Sequence, residues 1–375
     1  METKTKIDDE LEEFLETNKK SHFLQSPEWA TVKSDWKHEM IVVRDDNGKI
    51  EGTMSILLRK IPILNRYIMY APRGFVCDFH DEKILGKLTE EANKIAKKYK
   101  AFIFRLDPDI EKDDEVFAEI IKKLGYKQKK HIKNTRQVVQ PRIISRITLT
   151  GKTEEELLNS FASKHRYNVR LAKRKGITLR DGTREDLPKF YEIMKVTETR
   201  DEFYVRPLSY FEKIWDAMSP NHIRLIFAEY EGEPISAVLP IKYGNKVWYL
   251  YGGSTNKHRN LMPNYLLQFE MMKWGLETGC DIYDFRGVSG ITSENHPQRG
   301  IYIFKKGFNG DILELVDEMY IVYKPFVNTL FNIMEHTYKD LAEIKDKFKR
   351  KNYKEKLKKE EEKEKKEEKN KESNE

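Results

Sequence analysis

Tyr67-Ile68-Met69-Tyr70-Ala71-Pro72-Arg73-Gly74 is written again, more loosely, as Trp248-Tyr249-Leu250-Tyr251-Gly252-Gly253. Each copy sits in the same setting. Gly48-Lys49-Ile50-Glu51-Gly52 and an apolar run precede the first; Gly232-Glu233-Pro234-Ile235-Ser236-Ala237 and an apolar run precede the second. A helical stretch follows each, and then Ala101-Phe102-Ile103-Phe104-Arg105-Leu106-Asp107 in one case and Asp281-Ile282-Tyr283-Asp284-Phe285-Arg286-Gly287 in the other. Tyr70 to Tyr251 and Arg105 to Arg286 are both steps of 181 positions. A register kept across a whole supersecondary unit is the mark of duplication. Two related domains are expected, of which one can keep a chemical site while the other is reshaped.

Around the first phrase, Met40–Arg44 and Ile50–Arg59 read as a hairpin turned at Asp45–Lys49, and Tyr67–Tyr70 as a further strand. Glu82–Lys98 carries Ile84, Leu85, Leu88, Ala92, Ile95 and Ala96 at helical spacing. Phe102–Leu106 is a short apolar strand, and Asp113–Leu124 a helix stopped by Gly125. The second copy has a longer preface: a basic helix pair over Glu154–Lys175, a strand at Ile177–Arg180, helices at Glu185–Glu198 and Leu208–Met218, and a strand at Ile223–Tyr230. Tyr265–Thr278 is then the helix equivalent to the one starting at Glu82, and Asp317–Tyr323 a last strand able to return to the first sheet. The expected class is α/β with mixed sheets. Residues 1–146, completed by 317–345, form the first domain, 147–316 the second, and 346–375 a charged tail.

At 375 residues the chain can hold two domains with real cores. Its charge misleads until divided. The net +7 includes +4 from Lys345–Glu375, where 14 Lys+Arg face 10 Asp+Glu, so the body carries only +3 and is no uniformly basic nucleic-acid coat. The tail lacks the apolar residues to offset its ordering entropy and is expected to be solvated. Cys77 and Cys280 lie in different copies without a partner motif, which fits a reducing cytoplasm. The first twenty residues have no apolar core and do not read as a secretion signal. No run is long and apolar enough to cross a bilayer, so any membrane contact is expected to be peripheral.

Motifs narrow the chemistry mostly by absence. There is no GxSxG elbow, no HExxH, no phosphate-binding GxxxxGK[ST] loop and no GxGxxG. The nine histidines include no pair at metal-binding spacing, His258 and His296 read as loop residues, and neither metal nor cofactor is implied. Two acid-free basic runs remain, Lys127–Arg146 and Ala162–Arg180, with seven Lys+Arg each. Arg166, Arg170 and Arg174 stand four apart and share a helical face, suited either to a phosphate backbone or to solvent. Gly300-Ile301-Tyr302-Ile303-Phe304-Lys305-Lys306-Gly307-Phe308, in a loop spanning 294–310, sets an aromatic beside two lysines. Lys305 there either packs its stem on Phe304 or offers its ammonium to developing negative charge, as acyl transfer requires.

The order of several motifs resembles the Fem family of peptidoglycan peptidyltransferases. They are the duplicated acetyltransferase-like unit, Ser26-Pro27-Glu28-Trp29, Tyr249-Leu250-Tyr251-Gly252-Gly253-Ser254, Asp284-Phe285-Arg286-Gly287 and Phe304-Lys305-Lys306-Gly307-Phe308. The resemblance runs from about residue 20 to 325, and the long helical arm of some members is not evident. It implies two tandem acetyltransferase-like domains and transfer of an amino acid from aminoacyl-tRNA to the stem peptide of a UDP-linked muramyl pentapeptide or its lipid-linked form. By position, Lys33 and Arg206 match cations that hold the diphosphate, and Tyr210 and Tyr251 match tyrosines lining the same cleft. Lys305 matches the lysine that stabilises the transition state, and Phe304 the aromatic that meets the terminal adenosine of the tRNA. Lys306, Arg166, Arg170 and Arg174 would follow the tRNA backbone. Asp107, at a strand end, either orients the incoming amine or is part of a turn.

Two other readings compete. An acyl-CoA-dependent N-acyltransferase needs a glycine-rich pyrophosphate turn, but Lys257-His258-Arg259-Asn260-Leu261-Met262-Pro263-Asn264 has neither glycine, and Pro263 removes a backbone donor. A non-catalytic RNA-binding protein would rest on the two basic runs alone.

Overall fold

The structure is a computed structural model that describes residues 6–129, 139–201, 204–288, 298–335 and 337. The tail at 346–375, His296 and the middle of the basic run 127–146 lie outside the described residues.

The first half of the chain runs through α1 (Lys6–Thr17), α2 (Pro27–Val32), β1 (Lys37–Arg44), β2 (Ile50–Ile61), β3 (Arg66–Ala71), α3 (Glu82–Tyr99), β4 (Ala101–Leu106), α4 (Glu115–Lys123) and β5 (Lys127–Gln128). The second runs through β6 (Ile143–Thr148), α5 (Glu154–Ser160), α6 (Ser163–Arg174), β7 (Thr178–Asp181), α7 (Leu187–Asp201), α8 (Leu208–Met218), β8 (Ile226–Tyr230), β9 (Glu233–Tyr243), β10 (Lys246–Ser254), α9 (Pro263–Glu277), β11 (Ile282–Gly287), α10 (Arg299–Lys306), β12 (Asp311–Glu314) and β13 (Met319–Val322). Residues 325–335 close the described chain as a helix.

Local chemistry sets the helix ends. The Ser26 side chain accepts the Trp29 N–H with Pro27 at the first helical position of α2, and Asp81 accepts the N–H groups of Lys83 and Ile84 at the start of α3. α3 then lays Ile84, Leu85, Leu88, Ala92 and Ala96 on the first sheet, as their spacing requires.

The two sheets repeat one path. The first has the order β1-β2-β3-β4-β13-β5 and the second β12-β6-β11-β10-β9-β8-β7. In each, two antiparallel steps lead to a parallel pair, β3 with β4 across α3 and β10 with β11 across α9. The fold class is α/β, with two tandem acetyltransferase-like units built on mixed sheets.

Three expectations need correction. The boundary between residues 146 and 147 falls inside β6, which pairs with β11 and β12 in the second sheet. Arg142 and Arg146 made this stretch look like a basic patch, whereas Ile144 between them and Ile147 just after are buried. The stretch around Lys305 is a helix, α10, rather than a loop. The opening helices also do more for the second unit than for the first. Leu11, Leu15, Phe23 and Trp29 share one apolar core with Leu187, Phe211, Ile241 and Trp248. The last strand, β13, pairs with β4 and β5 of the first sheet. Chain therefore crosses between the units at both ends.

Cys77 and Cys280 are buried free thiols. Among the described residues no helix is long and apolar enough to cross a membrane, and no cluster of metal-ligating side chains forms.

Candidate active site where the two units meet

β10 and β11 begin side by side and then part. Their parallel pairing covers Lys246 with Ile282, Val247 with Tyr283 and Trp248 with Asp284. Past that point β10 shifts register against β9 between Trp248 and Tyr251, and β11 shifts against β6 between Asp284 and Gly287. Such bulges bend strands and re-aim side chains, and they recur beside active sites. Lys305 reaches into the widened end from α10. Its Nζ donates to the Phe285 carbonyl at 2.8 Å and to the Gly287 carbonyl at 2.7 Å. The residue is 7% exposed, and burial pulls its ammonium from 10.5 down to about 7; Asp284 opposes this and Arg286 adds to it. A protonated lysine has three N–H donors. Two are spent on carbonyls, and among the described residues the third has no acceptor.

The facing wall holds the expected acceptor residues, and the structure brings them together. Lys33 ends α2, and its Nζ donates to the Tyr210 hydroxyl of α8 at 3.0 Å while lying 5.3 Å from the Trp29 ring. Burial, with Arg206 acting in the same direction, lowers its ammonium to about 8. The exposed Arg206 guanidinium stacks over the Tyr210 ring at 5.5 Å. Tyr210 and Tyr251 share a hydroxyl hydrogen bond, and burial raises both phenols. Four residues spread over 219 positions of sequence, from 33 to 251, thus form one cationic, aromatic corner.

Asp107 ends β4 as expected, but its oxygens are engaged. Oδ2 accepts the Tyr70 hydroxyl at 2.7 Å and Oδ1 the Arg73 N–H at 2.8 Å. Burial raises its carboxyl to about 6, with Arg73 pulling the other way. Each carboxylate oxygen has one further lone pair.

The residues expected to meet tRNA divide. Phe304 is half-buried and packs edge-on against Tyr265 and Phe308, at 5.1 and 5.2 Å between ring centres. Lys306, Arg170 and Arg174 are exposed. Arg166 is not a free cation: its Nη1 donates to the Asn159 and Phe161 carbonyls, closing the end of α5. His165 joins α6 to α10, with Nε2 2.9 Å from the Phe304 carbonyl. Its ring lies so flat on Gly307 that a Cβ there would sit 1.9 Å from it.

Two features escaped the sequence reading. One is a buried strut in which Arg146 Nη2 donates to Asp109 at 2.6 Å and Nε to Asp284 at 2.8 Å. Arg146 holds the Asp109 carboxyl well below the usual range despite its burial. Nothing in a lone arginine of a basic run signals this. The other is Arg286, whose guanidinium lines a small polar pocket between the units together with Arg73, Gln140 and Trp248. Its signal was present, since it occupies the repeat position of Arg105.

The chain is a tandem acetyltransferase-like protein with a cationic cleft at the junction of its units. A sequence model of the FemAB family matches residues 7–233 and 228–339, and the chain belongs to that family. A relative named lipid II:glycine glycyltransferase, from Staphylococcus aureus strain MRSA252, is 30% identical over 91% of this chain and 98% of its own length. Its namesake from Staphylococcus epidermidis strain ATCC 12228 is 29% identical over 90% and 96%. The crystal structure of FemX superposes with a TM-score of 0.82 at 27% identity, covering 88% of this chain and 99% of that one.

Proposed function

We propose that this protein is an aminoacyltransferase that moves an amino acid from aminoacyl-tRNA to the stem peptide of a peptidoglycan precursor in the cytoplasm. The observation that carries this reading is Lys305, buried at the parted ends of β10 and β11 with one ammonium hydrogen unspent among the described residues. The precursor amine attacks the ester carbonyl, a C–N bond forms, and the ester C–O bond breaks. The proton lost by the amine passes to the departing ribose oxygen. Negative charge gathers on the carbonyl oxygen in between, and the Lys305 ammonium stabilises it there. Asp107 orients the amine through its remaining lone pairs. No covalent enzyme intermediate is involved.

Lys33 and Arg206 hold the acceptor diphosphate, with Tyr210 and Tyr251 shaping the wall beside it. Phe304 takes the terminal adenosine, and Lys306, Arg170 and Arg174 follow the tRNA backbone, while Arg166 braces the surface they stand on. The relatives' name favours the lipid-linked acceptor, which would bring the protein into peripheral contact with a membrane. The acyl-CoA alternative gains nothing from the fold, because α9 opens on Pro263 directly after Met262.

The test is reconstitution. The protein, a mixed pool of aminoacyl-tRNAs and either the UDP-linked or the lipid-linked precursor are combined and weighed by mass spectrometry. The expected product is a precursor heavier by one amino-acid residue, formed only with charged tRNA. Equal product with free amino acid and uncharged tRNA would refute the donor, and no product from either acceptor would refute the reaction.

A further inference from the structure

Arg286 is the cation that the proposed reaction leaves without a task. Arg105, its counterpart in the first unit, lies in the regular part of β4 opposite Tyr70 and Tyr320. Carboxylate oxygens of Glu318 and Glu335 stand 3.8 and 3.9 Å from its guanidinium. Arg286 lies in the β11 bulge, and among the described residues its guanidinium hydrogen bond is from Nη2 to Gln140 Oε1, at 3.2 Å, with no carboxylate paired to it. Arg286 is half-buried, and shielding a charge from water without a counter-charge is costly, so natural proteins pair such a charge or use it.

The backbone points the same way. Arg286 has φ +59°, a left-handed conformation that strains a non-glycine residue and gathers at functional sites. The Asp284 carboxylate accepts the Arg286 N–H at 2.5 Å, and Arg146 fixes Asp284 in turn. The arginine is thus held where it is by a buried chain of bonds.

Its neighbours in the pocket do not need the same ligand. Arg73 donates to the Asp107 and Pro141 carbonyls, and Arg146 is matched by two carboxylates. The Trp248 indole N–H, by contrast, is buried with no acceptor among the described residues. Arg286 also lies near enough to Lys33 and to Lys305 to lower both ammonium groups, so an anion it holds is within electrostatic reach of both.

We propose that Arg286 forms a carboxylate subsite that grips a carboxylate of the acceptor's peptide and so sets the distance from the diphosphate to the attacking amine. This rests on the acceptor named above. The planar guanidinium matches a carboxylate with two parallel hydrogen bonds. The donor cannot supply the group, because its only α-carboxyl is esterified to tRNA. Two sources remain in the acceptor, the chain-terminal carboxylate and a carboxylate inside the stem.

The experiment is calorimetric titration of the full chain with UDP-linked muramyl pentapeptide and with two derivatives, one amidated at the terminal carboxyl and one at the internal carboxyl. Wild-type protein is expected to bind one of the two amides roughly 10- to 100-fold more weakly than the acid, and that amide identifies the source. Arg286→Gln is expected to weaken the acid by a similar factor and to bind acid and amide alike, with Arg286→Lys between. Equal binding of all three ligands by wild type overturns the subsite, as does an Arg286→Gln that weakens acid and amide equally. If Arg286→Gln does not fold, the wild-type comparison still decides. Discrimination against an amide without any transfer in the reconstituted assay would leave the subsite standing and remove the reaction; transfer with no discrimination would do the reverse. Failure of wild type to bind any of the three removes the subsite together with the acceptor.

Discussion

The parallel strand pair of the first unit and that of the second follow the same path and end differently. β3 and β4 stay paired from Tyr67 with Ala101 to Ala71 with Leu106. Their end is tied together, since Asp107 takes the Tyr70 hydroxyl and the Arg73 N–H, and Arg105 has two glutamates beside it. β10 and β11 part after Trp248 and Asp284, with a bulge on each strand. Lys305 occupies the opening, and among the described residues Arg286 lacks the counter-charges of its twin. The difference teaches that a duplicated unit acquires a site here by losing ladder pairs. The chemical groups then face a gap rather than a partner strand, while the intact copy braces the cleft.

The comparison breaks most severely at the strut. Arg146→Gln leaves Asp109 and Asp284 buried without their cation and is expected to cost about 3–5 kcal/mol of unfolding free energy, read from denaturant midpoints. Because Asp109 is held below its ordinary 3.8, this stabilisation is present above that pH and shrinks as pH falls through and below it. The gap between wild type and variant should therefore narrow in acid.

Exchanging the twin arginines sharpens the contrast. Arg105→Gln removes the cation beside Glu318, which is 9% exposed, and is expected to cost about 2 kcal/mol of stability with transfer at saturating substrate unchanged. Arg286→Gln is expected to leave stability unchanged or higher and to act on acceptor binding. Equal stability losses in the two variants would erase the distinction.

Lys305 gives a pH signature. Its folded value, about 7, lies below the ordinary 10.5, so the folded state sheds its proton first and stability rises with pH between these values. The slope from this one group is at most about 1.4 kcal/mol per pH unit. It should vanish in Lys305→Met, as measured by urea unfolding at several pH values. The smallest effect is expected from Tyr251→Phe. Loss of its hydroxyl bond to Tyr210 should weaken acceptor binding by about 0.5–1.5 kcal/mol with the transfer step itself intact.

Much of the fold was legible because duplication preserves register, and the equivalence of Tyr70 with Tyr251 located strands and crossover helices at once. Two elements were hidden for physical reasons. β6 buries Ile144, Ser145 and Ile147, but arginines on either side of Ile144 masked its apolar character. α10 is bracketed by Gly300 and Gly307, which read as loop signals, yet Gly307 serves close packing against His165. The site was less legible than the fold. Lys33 and Tyr210 are 177 positions apart and join only through tertiary packing. Local spacing could not relate them, and the family resemblance did. Arg286 stood in the repeat from the start, but no residue pattern announces that one ladder stops three pairs in. The strut has no sequence signal, because Asp109, Arg146 and Asp284 come from three separate segments.

The central claim is that the Lys305 ammonium, at the open end of the second strand pair, stabilises charge in the transfer step. The direct measurement is single-turnover transfer from aminoacyl-tRNA at saturating acceptor, comparing wild type with Lys305→Met and measuring the acceptor Kd for each. The account predicts a rate constant lower by roughly 100- to 1,000-fold with acceptor Kd within about twofold of wild type. A Lys305→Met protein that transfers at the wild-type rate, or that loses only acceptor affinity, would contradict it.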